Sequence, residues 1–581
     1  MSTTAMGTVA IPEVALEHAT SLAEADAAVA EVRTRAHAWR ALPVSERVEL
    51  LDELLGCTRN AAAQWVEVEC ERKGIDPRND LAGEEWFLGP AFVLRNLRLL
   101  RNTLETVRRE GLPRLPGPVR TRPDGRVTAR VFPTDRYDRI TSMGCTADVW
   151  LPDGIRADEV GEHLAATYRG RGPGVDRVCL VLGAGNVSSI APNDTLYKLF
   201  AEDQVVLLKL NPMTAALAEV LTEAMHPLVA GGWLRIVVGG ADLGAHLAGH
   251  PGIDTIHLTG SDKTYEAVVF GPGETGRANK AAGRRVTDKP VSAELGCVTP
   301  LVVVPGAWSN RELRYHARQV ASSLVYNAGF NCISTRLVVT HAGWPQRDAF
   351  LEAVRAVLRA CPDRLPFYPG ACARYQDVLA AHPEAERFGR VGDDAVPWTL
   401  ITGVDPARDD EPVLGIDPFA AVMAEVPLEA ASPTAYADAA VELCNERVWG
   451  TLGVSVLVHP SARKDPVLAA AADRAVARLR YGTVAVNVWC GKGYAVVSPP
   501  WGAYPGHTPD DIQSGTGFVH NTYLFDEPEK TVVRVPFTAV PDPPWFITFG
   551  RRRAVLQQNA WLEANPSPGL LPKLLWNAMR G

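Results

Sequence analysis

Hydrophobic and polar positions follow three patterns along the chain. Between residues 22 and 110, apolar residues recur at helical spacing, as in ERVELLDELLGCTRNAAAQWVEVE, which predicts a helical lead-in. Between residues 113 and 152, β-branched residues alternate with polar ones, as in GRVTARVF, which predicts a two-stranded ribbon. From residue 176 to 295, apolar runs such as RVCLVLG and QVVLLKLN are separated by helical stretches. Buried strands that alternate with helices predict parallel βαβ units.

The same alternation resumes after residue 294, and it predicts a second α/β domain. PLVVVPG and STRLVVTH are the candidate strands, and NRELRYHARQVASSLVYNAG is the helix between them. Nearer the C-terminus, YGTVAVNVW and EKTVVRVPF predict two further strands, which are separated by the loop PPWGAYPGHTPDDIQSGTG. We find no internal repeat, so the predicted fold class is α/β with two distinct α/β domains.

Composition and charge narrow the class of protein. A length of 581 residues with 46% hydrophobic and 22% charged residues is typical of a globular protein of two or three domains. A net charge of −8 without a basic stripe predicts no nucleic-acid partner. No apolar run is long enough to span a membrane, and MSTTAMGTVAIPEVALEH has no secretory pattern. We therefore expect a cytoplasmic protein without a transmembrane segment.

The ten cysteines are scattered along the chain. None forms a Cys-x-x-Cys pair and no Cys/His group has zinc-ligand spacing, so we predict no metal site and a reducing compartment. Cys332, in YNAGFNCISTRLVV, stands between a glycine-containing loop and an apolar strand. Taken alone, it is either a small buried hydrophobic residue or an activated nucleophile.

Two strand ends predict a nucleotide site. LVLGAGNVSS places Gly183 and Gly185 directly after a strand, close to the dinucleotide-binding fingerprint. The next strand, QVVLLKLN, lacks the acid that usually holds the ribose and carries Lys209 instead. A lysine there either extends to solvent or places a cation beside a ribose or phosphate. The strand in IHLTGS leads into Gly260 and Ser261 at a helix start, where free N–H groups favour phosphate.

In this order, the motifs resemble those of the NAD(P)-dependent aldehyde dehydrogenases. HPGIDTIHLTGS resembles the family's Thr-Gly-Ser helix start, VSAELGCVTP its Glu-Leu-Gly-Gly stretch, and NAGFNCISTRLVV its Asn-x-Gly-x-x-Cys loop. DEPVLGIDPFAAV is similar to the Glu-x-Phe-Gly-Pro segment, and YGTVAVN to the strand before the C-terminal loop. The resemblance covers residues 25–537 and identifies the chain as a divergent member. It implies a Rossmann-type cofactor domain, an α/β catalytic domain and a β-ribbon oligomerisation element.

The resemblance also implies a division of the chain and a homodimer or dimer of dimers. The extension beyond the family's usual end can cap the substrate tunnel, pack on a neighbouring subunit or touch a membrane surface, and we favour packing. The predicted divisions are the helical lead-in and NAD(P)-binding domain (1–127 and 153–293), the catalytic domain (294–517), the oligomerisation strands (128–152 and 518–537) and the C-terminal extension (538–581).

For catalysis, the resemblance nominates Cys332 as the nucleophile and Glu294 as the base that activates water. Asn186 and the backbone N–H of Cys332 would hold the oxyanion. Without the resemblance, Glu294 is a carboxylate paired with an arginine such as Arg285, and Asn186 is an ordinary turn residue.

For the cofactor, the resemblance nominates Gly185, Lys209, Gly260 and Ser261 as binding residues, and Glu411 as the group that positions the nicotinamide ribose. Many members carry an acid two or three residues after the lysine, where this chain has Asn211 and Pro212. An acid there repels the 2′-phosphate of NADP. Its absence favours the acceptance of NADP besides NAD.

This chain also departs from the family pattern. Cys297 replaces the second glycine of Glu-Leu-Gly-Gly, Glu411 lies one residue out of step, and PPWGA replaces Pro-Phe-Gly-Gly. The predicted reaction is oxidation of an aldehyde to a carboxylic acid through a thiohemiacetal and a thioester on Cys332. One alternative is a reductive relative that acts on acyl-CoA or acyl phosphate and needs no carboxylate at position 294. The other is a catalytically idle cofactor-binding protein with this fold.

Overall fold

The computed structural model describes residues 19–581, except for the side chain of Arg463. The segment 1–18, for which the sequence predicts no secretory signal, lies outside the described residues. Within residues 19–581, no helix is both long enough and apolar enough to cross a membrane.

Helices and strands alternate over most of the described chain. The α-helices are α1 (Leu22–Arg40), α2 (Val44–Arg72), α3 (Gly83–Trp86), α4 (Phe92–Glu110), α5 (Arg136–Thr141), α6 (Ile190–Phe200), α7 (Ala218–Ala224), α8 (His226–Ala230), α9 (Ala241–Gly249), α10 (Asp262–Phe270), α11 (Gly273–Ala281), α12 (Asn310–Val325), α13 (Arg347–Ala360), α14 (Ala371–Ala381), α15 (Pro412–Gly415), α16 (Pro433–Glu446), α17 (Pro466–Arg478), α18 (Gly491–Val496), α19 (Arg552–Ala564) and α20 (Leu571–Ala578). The strands are β1 (Val119–Thr121), β2 (Val127–Phe132), β3 (Thr146–Trp150), β4 (Val178–Leu182), β5 (Val205–Leu210), β6 (Leu234–Val238), β7 (Thr255–Gly260), β8 (Val291–Leu295), β9 (Thr299–Val303), β10 (Thr335–His341), β11 (Glu386–Phe388), β12 (Trp398–Ile401), β13 (Val422–Leu428), β14 (Gly453–Leu457), β15 (Thr483–Val486), β16 (Pro500–Gly502), β17 (Gly515–Thr516), β18 (Phe518–His520) and β19 (Lys530–Arg534).

The first sheet has six strands in the order β17-β8-β7-β4-β5-β6, and all but β17 are parallel. Its central strands β4 and β5 are buried along their whole length, as continuous apolar runs require in a sheet covered on both faces. The predicted boundary between residues 293 and 294 falls inside β8, because the strand that carries Glu294 completes this sheet. β17 also joins this sheet, although its residues were assigned to the catalytic domain.

The helical lead-in covers one face of the first sheet. α1 begins with a capping box in which Ser21 and Glu24 satisfy each other's backbone N–H groups. At the other end of the same helix, the Trp39 indole is fully buried and donates to the carbonyl of Leu199 on α6. The predicted helical lead-in is therefore confirmed, and it shares one hydrophobic core with the sheet.

The second sheet has eleven strands in the order β1-β2-β3-β19-β15-β14-β9-β10-β13-β12-β11. The strands from β15 to β12 run parallel and form the predicted second α/β unit. The ribbon strands β2 and β3 pair with β19, which pairs with β15 of the same chain. The ribbon strands predicted to mediate oligomerisation therefore extend the chain's own second sheet. β18, predicted with them, pairs with β16 instead.

The C-terminal extension packs against the chain's own N-terminal helices. In α19, Leu556 and Ala560 share a buried cluster with residues of α2, α3 and α4. The rings of Trp86 and Trp561 lie 5.2 Å apart with an edge-on geometry. Glu563 forms buried ion pairs with Arg95 and Arg98 of α4. The extension therefore packs on its own chain, a role that was not among the three considered, and its predicted packing on a neighbouring subunit stays a prediction.

Candidate active site

The carboxyl ends of four parallel strands bring most predicted site residues to one edge of the first sheet. Leu182, the last residue of β4, is in register with Lys209 of β5, so the turn that carries Gly185 and Asn186 begins beside the lysine. Thr259 and Gly260 of β7 are in register with Glu294 and Leu295 of β8, so Ser261 follows directly after the strand that lies beside Glu294. Ligands of open α/β sheets bind outside this edge of the strands.

Glu294 lies near the end of β8 and is 5% exposed. Its Oε1 accepts hydrogen bonds from the Trp501 indole N–H at 3.1 Å and from the Cys332 thiol at 3.3 Å. Burial raises the pKa of Glu294 to about 7, although both of these hydrogen bonds lower it. Within residues 19–581, Glu294 forms no ion pair, so the alternative pairing with Arg285 is not observed.

Cys332 is half-buried, and its sulfur points at the Glu294 carboxylate. Burial raises the pKa of the thiol well above its ordinary value, and the nearby Glu294 charge adds to the effect. A thiolate is the reactive form of cysteine. Cys332 therefore needs an acceptor for its proton, and Glu294 is the group in contact with it.

The loop before Cys332 has an unusual backbone. Asn327 and Ala328 both adopt positive φ, at 54° and 55°, which costs non-glycine residues of order 1–3 kcal/mol each. Gly329 follows with φ 82°, and a Cβ there would lie 3.0 Å from the Cα of Ala421. The Asn331 amide donates to the carbonyl of Tyr326 at 2.8 Å and closes the loop.

Asn186 contacts this loop directly. Its side-chain amide donates to the carbonyl of Phe330 at 3.0 Å, and its own carbonyl accepts from the Asn327 amide at 3.0 Å. One N–H of the Asn186 amide is used in this way. In the described part of the chain, the other makes no hydrogen bond with protein and is free for a substrate oxygen.

The residues predicted to bind a cofactor fit a nucleotide. Lys209 is 8% exposed, has no acidic partner in the described residues, and burial lowers its pKa to about 8. A Cβ on Gly185 would lie 2.7 Å from the Asn211 side chain, so glycine is required beside the lysine strand. Ser261 caps α10 by accepting from the Thr264 N–H at 3.1 Å. The unpaired ammonium of Lys209, the turn at Gly185 and the N-terminus of α10 at Ser261 suit the phosphates and ribose of a dinucleotide.

Glu411 is bound by partners outside the group of residues at this edge. Its carboxylate accepts from the His382 ring at 2.8 Å and from the backbone N–H of Val413 at 3.2 Å, and so caps α15. Arg408 lies 3.7 Å from its other oxygen. No hydrogen bond or ion pair links Glu411 to the Cys332, Glu294 or Lys209 side chains in residues 19–581. Its predicted contact with a ribose stays a prediction.

Sequence analysis missed two residues that shape the site. Trp501, noted only as a departure from Pro-Phe-Gly-Gly, is 1% exposed and supplies a hydrogen bond to Glu294. An indole has one donor and no acceptor, so a buried tryptophan in that loop indicated an acceptor nearby. Asn327 was part of the quoted motif but had no assigned role, and no local signal showed its partners.

Comparisons with known proteins agree with the geometry. Residues 178–364 match the aldehyde dehydrogenase family. The N-succinylglutamate 5-semialdehyde dehydrogenase of Sphingopyxis alaskensis is 30% identical over 186 residues, which is 32% of this chain and 34% of that protein. The enzyme of the same description from Ectopseudomonas mendocina is 30% identical over 169 residues, 29% of this chain and 32% of that protein. The matched part spans about a third of these curated relatives.

Solved structures show the same fold over nearly the whole chain. The NADP complex of NADP-dependent glyceraldehyde-3-phosphate dehydrogenase from Bacillus halodurans has a TM-score of 0.59 at 18% identity and covers 89% of this chain and 92% of that one. The NAD-dependent aldehyde dehydrogenase of Sinorhizobium meliloti has a TM-score of 0.59 at 20% identity and covers 90% of this chain and 88% of that one. The predicted fold class is confirmed.

Proposed function

We propose that this chain, which has the aldehyde dehydrogenase fold and whose residues 178–364 match that family, oxidises an aldehyde to a carboxylic acid with NAD or NADP. The observation that supports this most is the 3.3 Å contact between the Cys332 thiol and the Glu294 carboxylate. A nucleophile and a base in hydrogen-bond contact, with the base titrating near neutral pH, form an acyl-transfer site.

The reaction begins with transfer of the Cys332 proton to Glu294, because the buried thiol does not ionise unaided. The thiolate then attacks the aldehyde carbon and forms a thiohemiacetal. The oxyanion accepts from the free N–H of the Asn186 amide and from the backbone N–H of Cys332. One such donor contributes about 3 kcal/mol to the stability of the transition state.

Lys209, Gly185, Gly260 and Ser261 would hold the cofactor along the edge of the first sheet. When bound, its nicotinamide supplies the acceptor for the hydride that leaves the thiohemiacetal carbon and yields a thioester on Cys332. Asn211 follows Lys209 where an acid would repel a 2′-phosphate, which supports NADP as well as NAD.

Hydrolysis completes the proposed cycle. After Glu294 has released its first proton, the carboxylate takes a proton from a water molecule that attacks the thioester. The carboxylic acid leaves and the Cys332 thiolate is restored. A pKa of about 7 suits this role, because the base is ionised at neutral pH and is still basic enough to accept a proton.

We place the protein in the cytoplasm, which the ten free cysteines support. A homodimer or dimer of dimers stays a prediction. The strands that motivated it, β3 and β19, pair with each other within one chain, and the edge of the sheet on that side is the short strand β1. Light scattering over a concentration series distinguishes a monomer from these assemblies.

The test is the formation of reduced cofactor by purified protein with NAD or NADP and a panel of aliphatic, aromatic and carboxylate-bearing aldehydes, N-succinylglutamate 5-semialdehyde among them. We expect turnover that is lost in Cys332→Ala. Reduction of the cofactor by an aldehyde only when coenzyme A is added, or oxidation of NADH or NADPH by an acyl thioester, would support the reductive alternative. No turnover by a protein that still binds the cofactor would support the idle one.

A further inference from the structure

A segment that does not touch the Cys332 or Glu294 side chains holds both loops of the candidate site. We define it as the support segment, residues 80–91, which contains α3 and a π-helical turn. Glu84 Oε2 accepts from the backbone N–H of Asn327 at 3.2 Å. The carbonyl of Leu88 accepts from the N–H of Ser189 at 3.1 Å, next to the turn that carries Asn186.

A buried lysine also binds the side chain of Asn327. The Lys73 ammonium donates to the Asn327 side-chain oxygen at 2.9 Å and to Glu85 at 2.8 Å, and all three residues are at most 1% exposed. Asn327 therefore has its backbone N–H and its side-chain oxygen bound to charged groups. Its left-handed backbone conformation persists because these contacts determine it.

The C-terminal extension holds the other side of the support segment. Arg552, the first residue of α19, donates to Glu84 Oε1 at 3.2 Å and to the carbonyls of Phe546 and Ile547 at 2.9 and 2.7 Å. A Cβ on Gly83 would lie 2.7 Å from the Arg552 carbonyl carbon, so the two backbones are in contact. The Glu84 carboxylate thus links the extension, through Arg552, to the loop before Cys332, which we call the nucleophile loop, through Asn327.

Glu84 is fully buried and depends on two cations. Arg364 donates to Oε2 at 3.0 Å, while Arg552 donates to Oε1. A buried carboxylate that loses one of two cations shifts toward the cation that remains. That movement disturbs its hydrogen bond from Asn327, since Oε2 serves both Arg364 and Asn327.

We propose that the C-terminal extension is a working part of the active site. Arg552 is a positioning residue that acts through Glu84 on the Asn327 turn, and so sets the orientation of Cys332. The effect on turnover rests on the proposed function. The effect on the chemical reactivity of the Cys332 thiol does not, because alkylation needs neither substrate nor cofactor.

Three full-length variants test the proposal: Arg552→Gln, Arg552→Lys and the control Glu563→Gln. Glu563 lies on the same helix, is buried and binds Arg95 and Arg98, and it makes no hydrogen bond to the support segment or the nucleophile loop among the described residues. The rate of Cys332 alkylation by iodoacetamide is followed by mass spectrometry of the Cys332 peptide across neutral pH. Thermal stability, kcat and the KM values are measured in parallel.

We expect Arg552→Gln to lower the alkylation rate and kcat by about 10-fold to 100-fold, as small misplacements of reacting groups do, with the cofactor KM unchanged. Arg552→Lys keeps the charge and has three N–H donors, but these leave from one nitrogen instead of the two guanidinium nitrogens that reach Glu84 and the two carbonyls. We therefore expect a smaller loss in both rates. Glu563→Gln lowers thermal stability while the alkylation rate stays within about two-fold.

Equal alkylation rates in Arg552→Gln and Glu563→Gln would overturn the proposal, because they would show that the extension only stabilises the fold. If Arg552→Gln does not fold, Arg552→Lys decides, and an unchanged alkylation rate in that variant overturns the proposal. If no aldehyde is oxidised, the alkylation rates still decide, so failure of this inference and failure of the proposed function are distinguishable.

Discussion

The two sides of the candidate active site are built in different ways. Glu294 stands in a regular strand, where its position follows from pairing with Thr259 on one side and Gly515 on the other. Cys332 follows an irregular loop with two left-handed residues, which is held by side chains from distant parts of the chain. On the strand side, a substitution can change the chemistry and leave the geometry intact. On the loop side, position and chemistry change together.

The largest effect on the strand side is expected for Glu294→Gln. The amide keeps the volume of the side chain and can still accept from Trp501, but it cannot take a proton. We expect kcat to fall by about 10²–10⁴-fold, the usual contribution of a general base. In the unaltered protein, kcat should rise with pH around pH 7 as Glu294 ionises, and this limb of the pH–rate profile should be absent from the variant. A variant that retains this limb would assign it to another group.

The same substitution should alter the pH dependence of stability. The folded-state pKa of Glu294, about 7, lies above the unfolded value, so its contribution is fully present below the unfolded pKa and is lost as pH rises toward 7. The loss amounts to about 3 kcal/mol at most. Thermal melts at a series of pH values should therefore show a flatter decline in Glu294→Gln than in the unaltered protein.

On the loop side, Asn186→Ala should combine two effects. It removes the proposed oxyanion donor, which lowers kcat by about 10²–10³-fold. It also removes the hydrogen bond to the Phe330 carbonyl, so the free energy of unfolding falls by about 1 kcal/mol as well. Asn186→Asp, which keeps the shape but not the donor, is the matched variant. A loss of stability with unchanged kcat would make Asn186 a turn residue only.

Lys209→Met tests the proposed cofactor site at the edge of the first sheet and leaves both Glu294 and the loop before Cys332 unchanged. Methionine fills the same buried space beside Gly244 but carries no charge. We expect the cofactor KM to rise about 10-fold, a loss typical of one charged hydrogen bond, with kcat nearly unchanged. In the unaltered protein, cofactor binding should weaken above about pH 8, because the pKa of this lysine is lowered by burial. Equal KM values in the two proteins would remove Lys209 from the cofactor site.

The smallest effect is expected for Trp501→Phe. The indole N–H lowers the pKa of Glu294, so its removal should move the limb of the pH–rate profile to higher pH by less than about one unit. The aromatic volume is largely kept, and kcat at high pH should change little. A shift to lower pH would contradict the assignment of this limb to Glu294.

The residues that the sequence could predict are those whose position depends on a local pattern, and the ones it could not predict depend on distant contacts. Cys332, Glu294 and Lys209 were predicted because each belongs to a local pattern, a strand end or a loop motif that is complete within a dozen residues. The partners of Asn327 could not be predicted, since Lys73 and Glu84 lie some 250 residues earlier and carry no local mark of their role. Trp501 was noted as a change in a local motif, but its hydrogen bond to Glu294, about 200 residues away along the chain, could not be predicted.

The course of the ribbon also lay beyond sequence reasoning. The β-branched pattern of β2, β3 and β19 predicts strands but not whether their partner belongs to the same chain, because a strand edge offers identical hydrogen bonds to either. The resemblance implied an oligomerisation element; in the structure β2 pairs with β3, β3 with β19, and β19 with β15, all within one chain. The partner of Glu411 also lay beyond the local motif, because the motif does not show that His382 binds its carboxylate.

The place of β19 between β3 and β15 has a consequence for biosynthesis. The ribbon strands β2 and β3 are translated more than three hundred residues before β19, the strand that joins them to the second sheet. Until then, the nascent chain carries two unpaired strand edges separated by more than three hundred residues, and long-range pairing of this kind is slow and prone to aggregation. Chains that terminate before Lys530 keep both edges open, so premature termination yields a substrate for chaperones and proteases.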